Sequence, residues 1–158
     1  MLALIGFVGL CLLVGAADGA ITAGAIAKWY VGLAKPPGTP PNWVFAPVWT
    51  TLYVLMGTAA WLVWQRGQAK SGPGNRHRRV LLLWGWQLLA NSLWTPAFFG
   101  LNSALAGLVV IAALLALVVV TMLRFWPISR PAAVMMVPYA AWVAYATYLN
   151  AGIFVLNG

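Results

Sequence analysis

Five stretches of this 158-residue chain, roughly 2–26, 43–64, 80–99, 104–125 and 132–156, are apolar over about the 20 residues a helix needs to cross ~30 Å of hydrocarbon. Inside hydrocarbon every backbone N–H and C=O must find a partner within the chain, so such stretches fold as helices. With 63% of its residues hydrophobic and 6% charged, the sequence cannot cover a soluble domain with polar surface. The expectation is an all-α, multi-pass integral membrane protein, a five-transmembrane-helix bundle forming one membrane domain over residues 1–158.

A net charge of +8 would fit a nucleic-acid binder, but the nine basic residues all lie between the spans or at their ends. They read as topological signals, and no nucleic-acid partner is expected. Arg66, Lys70, Arg76, Arg78, Arg79, Arg124 and Arg130 follow spans 2 and 4, whereas only Lys28 and Lys35 lie on the other side. That asymmetry predicts a cytoplasmic N-terminus, with the first loop (27–42) and the C-terminus outside. The cluster from Arg76 to Arg79 also suits anionic membrane lipids. Val14–Gly15–Ala16–Ala17 resembles a signal cleavage site, but no Lys or Arg precedes it and the apolar run continues, so it is read as part of span 1. Cys11, the lone cysteine, is read as a small packing residue.

Span 1 carries small residues at four-residue spacing, Gly15–Gly19–Ala23 and Ala16–Ala20–Gly24, which lets another helix backbone come close. Lys35–Pro36–Pro37–Gly38–Thr39–Pro40–Pro41 makes the first loop stiff, suited to act as a lid over a bundle mouth. The segment from Gly67 to Arg79 reads as a solvated connector. Pro47, Pro96 and Pro138 fall inside spans, where each removes one helical hydrogen bond and can bend its helix.

Trp49, Trp94 and Trp142 lie deeper than the headgroup level that membrane tryptophans prefer. Counted from the outer helix ends at ~1.5 Å per residue, Trp49 is about 9 Å down, Trp94 about 8, Asn91 about 12, Ala146 about 15 and Trp142 about 21. Trp49 and Tyr53 share a helical face, as do Asn91, Trp94, Thr95 and Phe98, and as do Trp142, Ala146 and Leu149. Any one of these aromatics could simply fill the core. Gathered at one level with an amide that must find a partner and with two prolines, they point to a flat, aromatic-lined ligand cavity.

Reactive groups are few. Asp18 is the only acidic residue and lies within span 1, where a carboxylate can pair with a base, hold a cation, or sit neutral against a neighbouring helix. His77 falls in the basic connector, far from the aromatic level. Paired carboxylates, a nucleophile–base pair, a metal-ligand cluster and a phosphate-cradling glycine loop are all missing, which excludes ordinary hydrolase, kinase and metalloenzyme chemistry. No His or Cys stands at the aromatic level, so haem held by strong axial ligation is disfavoured and stacking remains. Lys28 and Lys35 could meet the carboxylates of an amphipathic ligand.

Ordered blocks along the chain resemble the tryptophan-rich sensory protein family, TspO, which includes the animal translocator proteins or peripheral benzodiazepine receptors. They comprise Trp29–Tyr30, Leu33, Lys35–Pro36, Pro40–Pro41, Trp43–Val44–Phe45, Pro47–Val48–Trp49–Thr50 and Leu52–Tyr53; then Gln87–Leu88, Asn91, Leu93–Trp94–Thr95–Pro96 and Phe98–Phe99–Gly100; then Val137–Pro138–Tyr139, Trp142–Val143, Ala146 and Leu149–Asn150. The resemblance, to a bacterial member in particular, implies a homodimer of five-helix bundles. It implies a pocket under the first loop for tetrapyrroles such as protoporphyrin or haem, bound as ligands rather than obligatory cofactors, and for benzodiazepine-site compounds. The positions it marks are Trp49, Asn91, Trp94, Trp142, Ala146 and Leu149, with Phe45, Ala46 and Tyr53 close by. Phe98 joins them by helical phase, and Lys28, Lys35, Pro40 and Pro41 form the lid.

Two departures stand out. Gly38 replaces the tryptophan many relatives carry between the loop prolines, and no Lys or Arg follows Tyr148 to complete a sterol-recognition pattern. The expected function is a membrane receptor or transporter for tetrapyrroles, in stress or tetrapyrrole regulation. The alternatives are light-dependent porphyrin degradation through Trp49 and Trp142, and a proton- or cation-coupled carrier centred on Asp18.

Overall fold

Residues 1–26, 28–69 and 76–158 are described by the computed structural model of the chain. Among the described residues six helices follow one another: α1 (Leu2–Ile26), α2 (Phe45–Ala69), α3 (Arg76–Thr95), α4 (Ala104–Phe125), α5 (Arg130–Met135) and α6 (Val137–Asn157). Short 3-10 turns occupy Tyr30–Gly32 and Asn42–Val44, and a π turn runs from Pro96 to Gly100. Among the described residues, four helical stretches are long and apolar enough to cross a membrane: Leu2–Ala25, Asn42–Gln68, Ala104–Phe125 and Arg130–Asn157. The chain is thus a helical integral membrane protein. α3 has a span's length, but it opens on Arg76, Arg78 and Arg79 and carries Gln87, Asn91 and Ser92, which dilute its apolar run.

Boundaries differ from the sequence reading where water meets the helix ends. The described residues of the connector expected over 67–79 are helical: α2 runs to Ala69, and α3 starts at Arg76 with His77 in its first turn. A formed helix propagates at the cost of one residue per added hydrogen bond, so it outlasts its apolar segment. Lys70 and the rest of 70–75 lie outside the described residues, as does Ala27 of the first loop.

The three prolines act differently. Pro47 sits in the first turn of α2, where its missing N–H is no loss, and the helix continues unbroken. Pro96 opens the π turn, in which the Leu101 N–H reaches back to the Pro96 carbonyl (2.9 Å) and Asn102 then takes a left-handed φ of 50°. Pro138 splits the fifth span at Met136 into α5 and α6, since proline cannot donate to the carbonyl of Val134.

The core is built from Met56, Ala59 and Val63 on α2, Trp84 and Leu88 on α3, Ile111, Leu114 and Val118 on α4, and Tyr139 and Val143 on α6. Cys11 is fully buried in the same cluster. Of the small-residue stripe of α1, Gly15 packs against the interior, since the Tyr53 ring lies 2.5 Å from where its Cβ would stand, whereas Gly19 and Gly24 have nothing within 4 Å. The tightest backbone approach of α1 and α2 falls elsewhere. A Cβ on Gly57 would come 2.7 Å from Val8 Cα and 2.9 Å from the Phe7 carbonyl oxygen. Backbone cannot swing aside as a flexible side chain can. Gly57→Val should therefore push α1 away and cost about 1–3 kcal/mol, read as a lower melting temperature in detergent. Gly6→Ala, with nothing within 4 Å of the new Cβ, should melt as the unsubstituted protein does.

Candidate functional site

A cavity of about 440 Å3 opens between α1, α2, α3 with its π turn, and α6. This is within the range of roughly 300–1,000 Å3 that small-molecule sites occupy. Small residues make the space: Gly15, Ala16, Gly19 and Ala23 along α1, Ala46 on α2 and Ala146 on α6. Aromatic rings form the walls. Trp94 stacks on Phe98 with centroids 5.5 Å apart and planes at 17°, Phe98 meets Phe99 edge-on at 4.8 Å, and Trp49 leans over Tyr53 at 5.7 Å.

Phe45, Ala46, Trp49, Tyr53, Asn91, Trp94, Phe98, Ala146 and Leu149 all line this cavity, so nine of the ten positions singled out from the sequence are brought together. Trp142 is not in the lining. Its ring packs edge-on against Phe45 at 6.0 Å and beside Tyr145 at 5.8 Å, on a shallower groove between α2 and α6 that includes Pro47 and Pro138. Its Nε1 is buried without a partner, while Trp94 Nε1 donates to Asn150 Oδ1 at 3.1 Å. Asp18 lines the cavity too.

The polar residues are linked. Tyr53 OH lies 3.1 Å from Asp18 Oδ2 and 2.7 Å from Asn91 Oδ1; Asn91 Nδ2 donates to Tyr139 OH at 3.0 Å. Tyr139 OH donates to Gln87 Oε1 at 3.0 Å, and Gln87 Nε2 to Met56 Sδ at 3.0 Å. Buried amides and phenols need such partners, because each group left unpaired costs about 1–3 kcal/mol.

The first loop closes over this end of the bundle and is fastened to α6. Asn157 pairs with both the N–H and the carbonyl of Ala34 at 2.9 Å, Tyr148 OH donates to the Pro37 carbonyl at 3.2 Å, and Tyr145 OH donates to the Gly38 carbonyl. Gly38 has a φ of +87°, a left-handed conformation that suits glycine and accounts for the residue found there. Of the expected lid residues, Lys28 is exposed, and Lys35 folds back so that its Nζ donates to the Leu33 carbonyl at 3.0 Å and sits 4.7 Å above the Tyr30 ring. Pro40 and Pro41 stand outside the cavity wall; the loop contributes Tyr30 and Asn42 instead. Burial, with Tyr145 adding to it, pushes the Tyr30 phenol above the ordinary tyrosine pKa.

Sequence reasoning passed over Tyr30, Phe99 and Asn150 as site residues. Asn150 carried a usable signal, being an intramembrane amide one helical turn beyond Ala146. Tyr30 stood in a block of the family resemblance but carried no periodic signal, since its inward turn is set by the 3-10 turn of the loop.

Residues 7–156 match the model of the TspO/MBR family. The chain belongs to the TspO/MBR family. It is 42% identical over 154 residues to the tryptophan-rich protein TspO of Chlorobaculum tepidum, covering 95% of this chain and 92% of that one. It is also 40% identical over 139 residues to a tryptophan-rich sensory protein of Cereibacter sphaeroides, covering 86% and 83% of the two chains. A translocator protein of Bos taurus is 35% identical over 147 residues, covering 92% and 85%. Membership places this TspO/MBR protein among membrane proteins of sensory and receptor type.

The Asn157 clasp is what ties the loop's Ala34 to α6. Asn157→Ala should raise hydrogen exchange at the Ala34 amide about tenfold, the size expected when a bond worth about 1–1.5 kcal/mol is lost.

Proposed function

We propose that this TspO/MBR protein is a membrane receptor or transporter whose cavity takes tetrapyrroles such as protoporphyrin or haem, and benzodiazepine-site-type ligands. The cavity supports this reading above all: Trp49, Trp94, Phe98 and Tyr30 surround a space whose wall surface is mostly apolar. Flat rings gain area burial and favourable ring–ring geometry against such walls. In this reading α3 completes a bundle of five spans, the whole chain acts as one membrane unit, and two copies form a homodimer. The basic residues at and beyond the C-terminal ends of α2 and α4 support a cytoplasmic N-terminus with the first loop outside.

Binding is favoured over photochemical degradation. A reaction in which Trp49 and Trp142 both touch the ligand does not fit a cavity lined by only the first of them. Titration of intrinsic fluorescence with protoporphyrin in detergent tests the site. Trp49→Ala and Trp94→Ala should each weaken binding about tenfold or more, corresponding to ~1.4 kcal/mol or more. Trp142→Ala, which touches the cavity through Phe45, should weaken it less. Equal quenching of all three variants and the unsubstituted protein would refute the pocket.

A further inference from the structure

The linked polar side chains have a direction, and it is set at the Met56 end. A thioether sulfur accepts but cannot donate, so Gln87 must turn its Nε2 toward Met56 Sδ and its Oε1 toward Tyr139. Tyr139 then spends its single proton on Gln87, and its oxygen receives Asn91 Nδ2. That leaves Asn91 Oδ1 facing Tyr53, where it can only accept, across the shorter of the two Tyr53 contacts (2.7 Å against 3.1 Å). With the Tyr53 proton committed to Asn91, the remaining contact is a hydrogen bond only if Asp18 carries a proton and donates it. An ionised Asp18 would draw the Tyr53 proton to itself and leave a buried amide oxygen against a bare phenol oxygen.

We infer that Asp18 is a proton-exchanging recognition group: a neutral acid donating to Tyr53 in this arrangement, and a carboxylate that releases its proton when a flat aromatic ligand brings a cationic nitrogen to it. The inference rests on the cavity being the ligand site, and it names the chemistry of the cavity's α1 side. Aromatic faces and one carboxylate attract a flat cation, and no Lys, Arg or His is among the lining residues to oppose it. The groups around Asp18 are Tyr53 from α2 and Thr95 from α3, with Tyr139 of α6 and Cys11 of α1 within electrostatic reach of Tyr53; none is basic. The exchange balances simply. The Asp18 O–H bond breaks, its proton leaves to water, and the ligand's positive charge takes its place beside the carboxylate. The ring nitrogens of a tetrapyrrole are one group that could be presented there, with its carboxylates held away from Asp18.

The test compares 10-methylacridinium, permanently charged, with 9-methylanthracene, its neutral isostere, on the full chain in detergent from about pH 5 to about pH 9. Binding is followed by tryptophan quenching and proton release by a pH-indicating dye in weak buffer. The sign follows from linkage. Raising pH removes the proton that competes with the cation, so affinity for 10-methylacridinium should climb by up to about tenfold per pH unit and then level off. About one proton should be released per ligand on the rising limb and none on the plateau, while 9-methylanthracene binding stays flat. Asp18→Asn should fold normally, because its amide donates to Tyr53 as the neutral acid does. It should abolish proton release and the preference for the cation over 9-methylanthracene. Met56→Leu lies outside the cavity wall and frees Gln87 to turn over, so it should lower the number of protons released without changing 9-methylanthracene affinity. Proton release that persists in Asp18→Asn, or a cation bound no better than its isostere at every pH, would overturn the inference. Protoporphyrin is titrated into the same samples: if it binds while the cation shows no preference, the pocket stands and the role of Asp18 falls; if none of the three binds, both fall.

Discussion

Polar side chains surrounded by hydrocarbon have only one another to turn to, and that restriction organises the interior of this bundle. Asn91 on α3 stands between two phenols, Tyr53 on α2 and Tyr139 on α6, and Gln87 one turn earlier receives the Tyr139 proton. Leucines on facing helices tolerate some rotation and sliding. An amide whose oxygen and nitrogen must reach different helices does not, so Asn91 sets both the rotation of α3 and its height against its neighbours. Individual bonds of this kind in membranes are worth only about 0.6 kcal/mol on average. Their effect here is greater on which arrangement forms than on how firmly it is held.

The cavity is the complement of that polar seam. Where Asn91 draws α2, α3 and α6 together, Gly15, Gly19 and Ala23 on α1 supply too little side chain to fill the remaining space, and Ala146 leaves a gap on α6. The aromatic rings cannot enter it, being held by their own partners: Trp94 by Asn150, Tyr53 by Asn91 and Phe98 by the π turn that follows Pro96. The loop above is fastened by a different device. Prolines have no N–H to give, so Tyr145 and Tyr148 of α6 donate to the carbonyls of the proline-rich segment, and Asn157 clasps both backbone groups of Ala34 just before it.

Helix placement was legible in the sequence because hydrocarbon permits so little else. α1 and α4 coincide with the apolar runs 2–26 and 104–125, whose ends meet breakers or capping groups such as Ser103, which accepts from the Ala106 N–H. Helix ends in water were not legible, because nothing in Gly67–Gln68–Ala69 or Arg76–His77 forces the backbone to stop. Helical phase found most of the cavity's wall on α2 and α3, and on α6 Ala146 and Leu149 but not Asn150 or Ile153. It missed Tyr30 and the folding back of Lys35, whose positions depend on turns within a loop that has no periodicity to read. The resting position of Lys35, its ammonium on the Leu33 carbonyl and above the Tyr30 ring, depends on the same loop turns.

Trp142 shows where phase and depth run out. It shares a stripe with Ala146 and Leu149, yet its ring leans across the face of α6 toward Phe45, beside the notch that Pro47 and Pro138 leave between α2 and α6. Helical phase fixes the direction of a Cα–Cβ bond; a two-torsion aromatic side chain can then fall to either side of it, and the neighbouring helix decides which. Phe45 is itself part of the cavity wall, so Trp142 backs a lining residue and can influence a ligand only by moving that ring. Of the three deep tryptophans, Trp94 has its N–H satisfied by Asn150, Trp49 stands on the wall, and Trp142 braces the wall from behind with its N–H unpaired. Depth inside the membrane therefore does not by itself give these rings one task, and only the two on the wall can stack on what the cavity holds.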